Sequence, residues 1–167
     1  MNHDDIRKKL TPALAKQLDE LVGANHCGAG SIMQSLDRTE LRARLASVDR
    51  LACESEMIAV SHPRFKTMSV EQMQVIGDEL VARLSYLEER LVVLEIDPAA
   101  REIQLRSDAP RLEDDERSYF EVQVGESGIT LKRFAKQTSA QRIAVSAALT
   151  RSIFTRVCID MVAVASA

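Results

Sequence analysis

The spacing of apolar residues changes near Leu91, and this change constrains the fold more than any other feature of the chain. Before Leu91, apolar residues recur every three or four positions, which is the period of an amphipathic helix. After it, "LVVLEID" is rich in branched residues and "REIQLRS" alternates apolar with polar residues, which is typical of strands. A chain of 167 residues with this order predicts a single α+β domain over residues 1–167.

Three N-terminal helices are predicted, and they make residues 11–90 the helical part of the domain. The first helix covers residues 11–23, with Thr11 as its cap and Pro12 at the first helical position. The sequence does not decide whether residues 1–10 are ordered.

The other two predicted helices begin with capping signals. The second begins at Asp37, because Asp37 and Glu40 have the spacing of a capping box headed by an acid, and it stops at Pro63. The third begins after Ser69, which has Gln72 three residues later, and it continues to about residue 91.

The remainder of the chain predicts a sheet at 91–149 and a C-terminal helix at 150–165 that Thr150 caps. The sheet has five mainly antiparallel strands, formed by two hairpins and "RIAVSA", and one of its faces is left open. Its apolar face is predicted to carry Val92, Leu94, Ile96, Ile103, Leu105, Phe120, Val122, Val124, Ile129, Leu131, Ile143 and Val145. Its polar face is predicted to carry Glu95, Glu102, Gln104, Arg106, Glu121, Gln123, Thr130, Lys132 and Arg142.

The segment "ANHCGAGS" at 24–31 places His26 next to Cys27 and glycines, which raises the question of a reactive thiol. Adjacent side chains usually diverge, and the glycines oppose a helix that could lower the pKa of the thiol. The segment also lacks the lysine and the spacing of a phosphate-binding loop. We therefore interpret it as a bend between two helices and predict no catalytic residue.

Other ligand and compartment signals are absent from the sequence. The three cysteines are far apart, and neither the cysteines nor the histidines have metal-ligand spacing, so we predict no metal and no cofactor. No apolar run reaches the length of a membrane span, and the N-terminus has no secretory signal, so we expect a cytoplasmic protein without membrane partners.

The charge distribution gives the strongest hint about partners. Residues 129–156 contain six basic residues and no acidic one, although the whole chain has a formal charge of −3. A basic strip of this kind would bind an acidic partner, or it could pair with glutamates on neighbouring strands. The residues predicted to bind a partner are Arg106, Lys132, Arg133, Lys136 and Arg142.

The third helix predicts self-association. Its heptad-like seam would pack inside the chain, or part of it would pair with a second copy to form a homodimer. The residues predicted for this role are Met73, Ile76, Leu80, Leu84 and Leu87.

These features favour a protein-binding or adaptor domain of unknown pathway that is not an enzyme. The first alternative is a small-molecule-binding domain or an enzyme whose site lies between the helices and the sheet. The second alternative is weak nucleic-acid binding through residues 129–156, which the scarcity of aromatic residues and of known motifs opposes.

Overall fold

The computed structural model describes residues 2–24, 29–109, 111–113, 116–137 and 141–167, which form three helices and ten strands. The helices are α1 (His3–Ala24), α2 (Val70–Arg83) and α3 (Arg151–Ser166), with a short 3₁₀ helix at Pro63–Thr67. The first five strands are β1 (Gly30–Leu36), β2 (Thr39–Val48), β3 (Ala52–Ser61), β4 (Leu91–Asp97) and β5 (Glu102–Ser107). The other five are β6 (Arg111–Glu113), β7 (Glu116–Gly125), β8 (Gly128–Gln137), β9 (Ile143–Val145) and β10 (Ala147–Thr150).

All ten strands belong to one antiparallel sheet. Its main path follows the order β1-β2-β3-β8-β7-β5-β4, and β6, β9 and β10 pair with β7, β8 and β3 respectively. Strand β3 pairs with β8 at residues 58–60 and with β10 at residues 52–55, while β9 pairs with β8 at residues 133–135. The chain from β9 to β10 therefore fills the space in which β3 and β8 separate.

The predicted layout of three N-terminal helices and five strands is wrong, because the segment predicted as the second helix forms β2 and β3, which make a three-stranded meander with β1. Asp37 does not cap a helix; it has a φ of 54° in the turn between β1 and β2. In the next turn, the Asp49 carboxylate accepts hydrogen bonds from the backbone nitrogens of Leu51 and Ala52 at 2.6 and 2.7 Å. These contacts lower the pKa of Asp49.

The first and third predicted helices exist with different ends. Helix α1 begins at His3, so Pro12 lies inside it and Thr11 is not its cap. Helix α2 has the predicted capping box of Ser69 and Gln72, but it ends at Arg83. The helical part at 11–90 is thus interrupted by strands, whereas the C-terminal helix is capped by the Thr150 hydroxyl as predicted.

Three helices cover the apolar face of the sheet. Helix α1 packs on β1 and β2, α2 packs on β4, β5 and β7, and α3 lies over β2, β3, β8 and β10. The core cluster joins all three helices to the sheet, and every α3 residue from Val157 to Ala165 is buried. None of the helices in the described ranges is long and apolar enough to cross a membrane.

The predicted apolar face is correct for the central strands and wrong at the margins. On β5, β7 and β8, the predicted residues from Ile103 to Leu131 are buried. On β4, a bulge between Val93 and Glu95 inverts the alternation, so Val92 pairs with Arg106 and Leu94 is 46% exposed. Ile143 on the short strand β9 is also exposed.

Candidate functional site

The face of the sheet opposite the helices is polar, as the alternation predicted. The register places Arg106, Glu121 and Lys132 in one row across β5, β7 and β8. A parallel row contains Glu95, Gln104, Gln123 and Thr130. A shallow depression of about 330 Å³ lies over this face. The uncovered face is thus a surface on which a partner can lie.

Two arginines and two aromatic rings stack across this face, on β5, β7, β8 and the residue that precedes β9. The rings of Tyr119 and Phe134 face each other on β7 and β8, with centroids 6.1 Å apart. Arg106 lies 5.0 Å from the Tyr119 centroid, and Arg142 lies 4.5 Å from the Phe134 centroid. We call these four residues, together with Lys132, the open-face cluster. Sequence alternation could have placed both rings on this face, but only their side-chain geometry reveals the stack.

Only part of the positive charge in the open-face cluster is neutralised. Arg142 donates to the Glu121 carboxylate at 2.5 Å, and the Tyr119 hydroxyl and this carboxylate raise the pKa of Arg142. Lys132 stands opposite Glu121 in the register, but its ammonium has no ion-pair partner within the described part of the chain. The single negative charge of Glu121 therefore faces three cations, Arg106, Lys132 and Arg142, and can neutralise only one of them.

A second excess of positive charge adjoins the cluster. Arg117 on β7 pairs directly with Lys136 on β8, and both side chains are exposed. Like charges placed directly opposite each other destabilise a strand pair. Lys136 lies two residues beyond Phe134 and therefore on the same face of β8. An anionic group placed over this end of the face would relieve the repulsion.

Arg133 does not join the other four residues predicted to bind a partner, because it lies on the helix-covered side. Its guanidinium donates to Glu89 at 2.6 Å and to the Ser118 hydroxyl at 2.8 Å. The second Glu89 oxygen accepts from the Ser107 hydroxyl at 2.7 Å. This network borders a groove of about 410 Å³ beneath the start of α3.

This groove is the place where the alternative function, a small-molecule or enzyme site between the helices and the sheet, would be found. Both oxygens of the Glu89 carboxylate are engaged by Ser107 and Arg133, so the carboxylate is held as a structural ion pair. A general base needs an oxygen that is free to take a proton from a substrate. The network favours a structural role for Glu89 over a catalytic one.

The five residues predicted for self-association lie in the chain's own core. Their exposed fractions range from 0 to 6%, and they contribute to the same cluster as the sheet residues. They are Met73, Ile76, Leu80, Leu84 and Leu87. Their seam therefore packs within the chain, and self-association, which stays a prediction, needs another surface.

The described cysteines are poor nucleophiles. Burial raises the pKa of Cys53 to about 11 and raises the pKa of Cys158 further. Among the described residues, no group of three or more histidine, cysteine or carboxylate side chains could hold a metal ion. His26 and Cys27 lie outside the described residues.

No protein-family model, curated protein or solved structure matches this chain. The functional assignment consequently rests on the geometry of its own residues. The predicted partner site included Lys136, but it did not include Arg117, which pairs with Lys136, or the stacked rings of Tyr119 and Phe134.

Proposed function

We propose that the chain is a non-enzymatic protein-interaction domain that binds an acidic polypeptide through the open-face cluster. The observation that carries this proposal is an uncovered sheet face on which stacked arginine and aromatic side chains lie beside uncompensated cations. Arginine and tyrosine are enriched among the residues that dominate binding energy at protein interfaces. The stack also holds Arg106 and Arg142 in place before binding, which reduces the entropy lost on association.

The charges around the cluster favour an acidic partner. Lys132, Lys136 and Arg117 are uncompensated within the described part of the chain, and all three can meet carboxylates of a bound segment. Such complementarity accelerates encounter and selects against basic partners. Because aromatic rings at this face are few, with Tyr119 buried and Phe134 half-buried, sequential stacking of nucleic-acid bases has little support here.

Binding of a fluorescein-labelled polyglutamate peptide, measured by fluorescence anisotropy at low salt, tests this proposal. Lys132→Glu is expected to weaken binding by about tenfold or more, because reversal replaces an attraction with a repulsion. Lys132→Gln should weaken it less, since it removes the charge without placing a second carboxylate opposite Glu121.

Arg50→Glu is the matched control, because Arg50 is exposed in the turn between β2 and β3, away from the cluster. It is expected to bind the peptide as the wild type does. Equal weakening by Lys132→Glu and Arg50→Glu would mean that net charge alone governs binding, and the proposed surface would then be wrong. Tighter binding of a single-stranded RNA of equal charge would instead favour the nucleic-acid alternative.

The second part of the proposed function is self-association through the outer edge of β4. Strand β4 ends the main path of the sheet, and its Leu94 and Ile96 are 46% and 36% exposed. Val75, 65% exposed, lies on α2, which packs against β4. Unpaired edges with apolar side chains readily pair with another strand.

The opposite edge of the sheet is protected. Helix α1 packs beside β1, and its Gln17 side chain donates to the backbone oxygen of Met33 at 3.3 Å. A twofold axis at Leu94 would pair two β4 strands antiparallel and place Glu95 opposite Val93 of the second copy. This register keeps the acidic residues of the two copies apart.

Light scattering at micromolar concentration tests the edge. The wild type is expected to be a dimer, and a double variant carrying Leu94→Asp and Ile96→Asp is expected to be a monomer, because four buried carboxylates would face the interface. Leu51→Asp is the control, since Leu51 is 81% exposed in a turn and should leave the dimer intact. A monomeric wild type would contradict self-association.

A further inference from the structure

A groove of about 620 Å³ separates α1 from α3 and lies apart from the open face of the sheet. Its floor is apolar and includes Leu18 and Ile159. One wall is a row of α1 residues four positions apart, among them Arg7 and Thr11. The other wall is the first part of α3, which contributes Arg151 and Arg156. The groove has a volume typical of small-molecule sites.

The groove is electropositive in a chain that is acidic overall. Three arginines line it, and the carboxylate of Asp160 is the one acidic side chain among its described lining residues. Both Asp160 oxygens are occupied, one by His3 Nε2 and one by the Tyr86 hydroxyl, each at 3.0 Å. Asp160 also forms longer ion pairs with Arg156 at 3.9 Å and with Arg83, outside the groove, at 3.8 Å. The sum of the formal charges on the three arginines and Asp160 stays positive when Asp19, which binds Arg151 from outside the groove, is included.

Two of the three arginines are held in place before any ligand enters. Arg151 donates to the backbone oxygen of Ala15 at 3.2 Å and to Asp19 at 2.6 Å. Arg156 lies over the Tyr86 ring at 3.8 Å from its centroid. Fixed guanidinium groups lose little entropy when they bind an oxyanion.

The third arginine and nearby hydroxyls supply donors without partners. Arg7 is exposed and has no hydrogen-bond or ion-pair partner in the described part of the chain. The same holds for the hydroxyls of Thr11, Ser152 and Thr155, which line the groove between the arginines. Guanidinium and hydroxyl groups together match the tetrahedral oxygens of a phosphoryl group. The first turn of α3 adds a favourable dipole at the same place.

We propose that the groove between α1 and α3 binds a small organic molecule that bears phosphate groups. The fixed guanidinium groups of Arg151 and Arg156 receive the phosphates, and Arg7 closes on them from α1. The remaining volume and the apolar floor accommodate the organic part of the ligand. This site is independent of the acidic polypeptide proposed for the open-face cluster.

Isothermal titration with inorganic pyrophosphate tests the site on the full chain. The wild type is expected to bind, and Arg7→Ala is expected to weaken binding by about tenfold or more, because a charged hydrogen-bond donor is lost. Arg7→Ala should retain the wild-type melting temperature, since the side chain is exposed and makes no hydrogen bond or ion pair with the described residues. Arg156→Ala provides a second variant from the opposite wall.

Two control variants separate this site from general charge effects and from the open face. Arg50→Ala and Lys132→Glu are expected to bind pyrophosphate as the wild type does, because neither residue lines the groove. Absence of binding by the wild type, or equal weakening by Arg50→Ala and Arg7→Ala, would overturn the proposal. Tighter binding of citrate than of pyrophosphate would overturn the phosphate class.

Discussion

Arg133→Met is expected to lower the free energy of unfolding by about 3–5 kcal/mol, because it leaves a buried carboxylate without its cation. Glu89 is 9% exposed, and its Oε1 atom lies 2.6 Å from the Arg133 guanidinium. Methionine keeps an unbranched apolar side chain in place of the arginine stem and removes only the guanidinium, which lies 4.6 Å from the Phe120 centroid, so the loss reports the missing cation. Urea denaturation monitored by circular dichroism measures the change.

A double variant and an ion pair with a more exposed arginine provide the controls. Adding Glu89→Leu to Arg133→Met removes the unpaired carboxylate and should recover much of the lost stability. Arg142→Met breaks the pair with Glu121 on the open face, where Arg142 is 48% exposed, and should cost about 0–1 kcal/mol. A loss below about 1 kcal/mol in Arg133→Met would contradict a stabilising role for the buried pair.

Arg133 also shows why the basic segment could be predicted as a feature but not as a site. The composition of residues 129–156 showed that this segment is basic. Because side chains alternate along β8, however, Arg133 lies on the helix-covered side of the sheet and Lys132 lies on the open side. The glutamate that pairs with Arg133 is 44 residues away in the turn region after α2. A single sequence carries no signal for such a long-range partner.

The error at residues 36–63 has a local cause. Leu41, Leu45 and Val48 satisfy helical spacing, but Leu41, Ala43 and Leu45 satisfy the two-residue period equally well. Burial decides between them, because Arg42 and Arg44 are exposed while the alternating apolar residues are buried. Asp37 added to the ambiguity, since aspartate is common both as a helix cap and in tight turns.

In the elements that were predicted correctly, the residues at the ends of the element and the spacing of its apolar residues indicate the same structure. The capping box of Ser69 and Gln72 marks the start of α2, and Thr150 marks the start of α3. The hairpin of β7 and β8 combines strict alternation with a glycine at each end of its turn. The open polar face follows directly from that alternation. The arginine–aromatic stack depends on the register between β5, β7 and β8 and on the position of Arg142 before β9, which composition does not specify.

Gly128→Ala is expected to lower the free energy of unfolding by at least about 3 kcal/mol, through backbone strain and steric overlap together. Gly128 begins β8 with a φ of 118°, a conformation that side chains rarely allow. A Cβ atom there would lie 2.1 Å from the Val60 backbone oxygen and 2.9 Å from the Ser61 Cα. Urea denaturation of the purified variant measures the loss.

The overlap between the added Cβ atom and the β3 backbone could be relieved only by moving β3 and β8 apart. Val60 pairs with Ile129, next to Gly128, in the short three-residue ladder that joins β3 to β8. This ladder connects the N-terminal meander to the hairpin that carries Tyr119 and Phe134, so separating its strands would disturb the open-face cluster. Binding of the polyglutamate peptide should therefore weaken in Gly128→Ala, even under conditions that keep the variant folded.

Gly23→Ala is the matched control for the same chemical change. A Cβ atom at Gly23 meets nothing within 4 Å, and this residue lies near the end of α1. Alanine there should raise stability by about 0.5–1 kcal/mol, because it restricts the unfolded chain and favours the helix. Equal changes in stability for Gly128→Ala and Gly23→Ala would contradict the predicted overlap between a Cβ atom at residue 128 and the Val60 backbone. The close approach of β3 and β8 would then not require glycine at position 128.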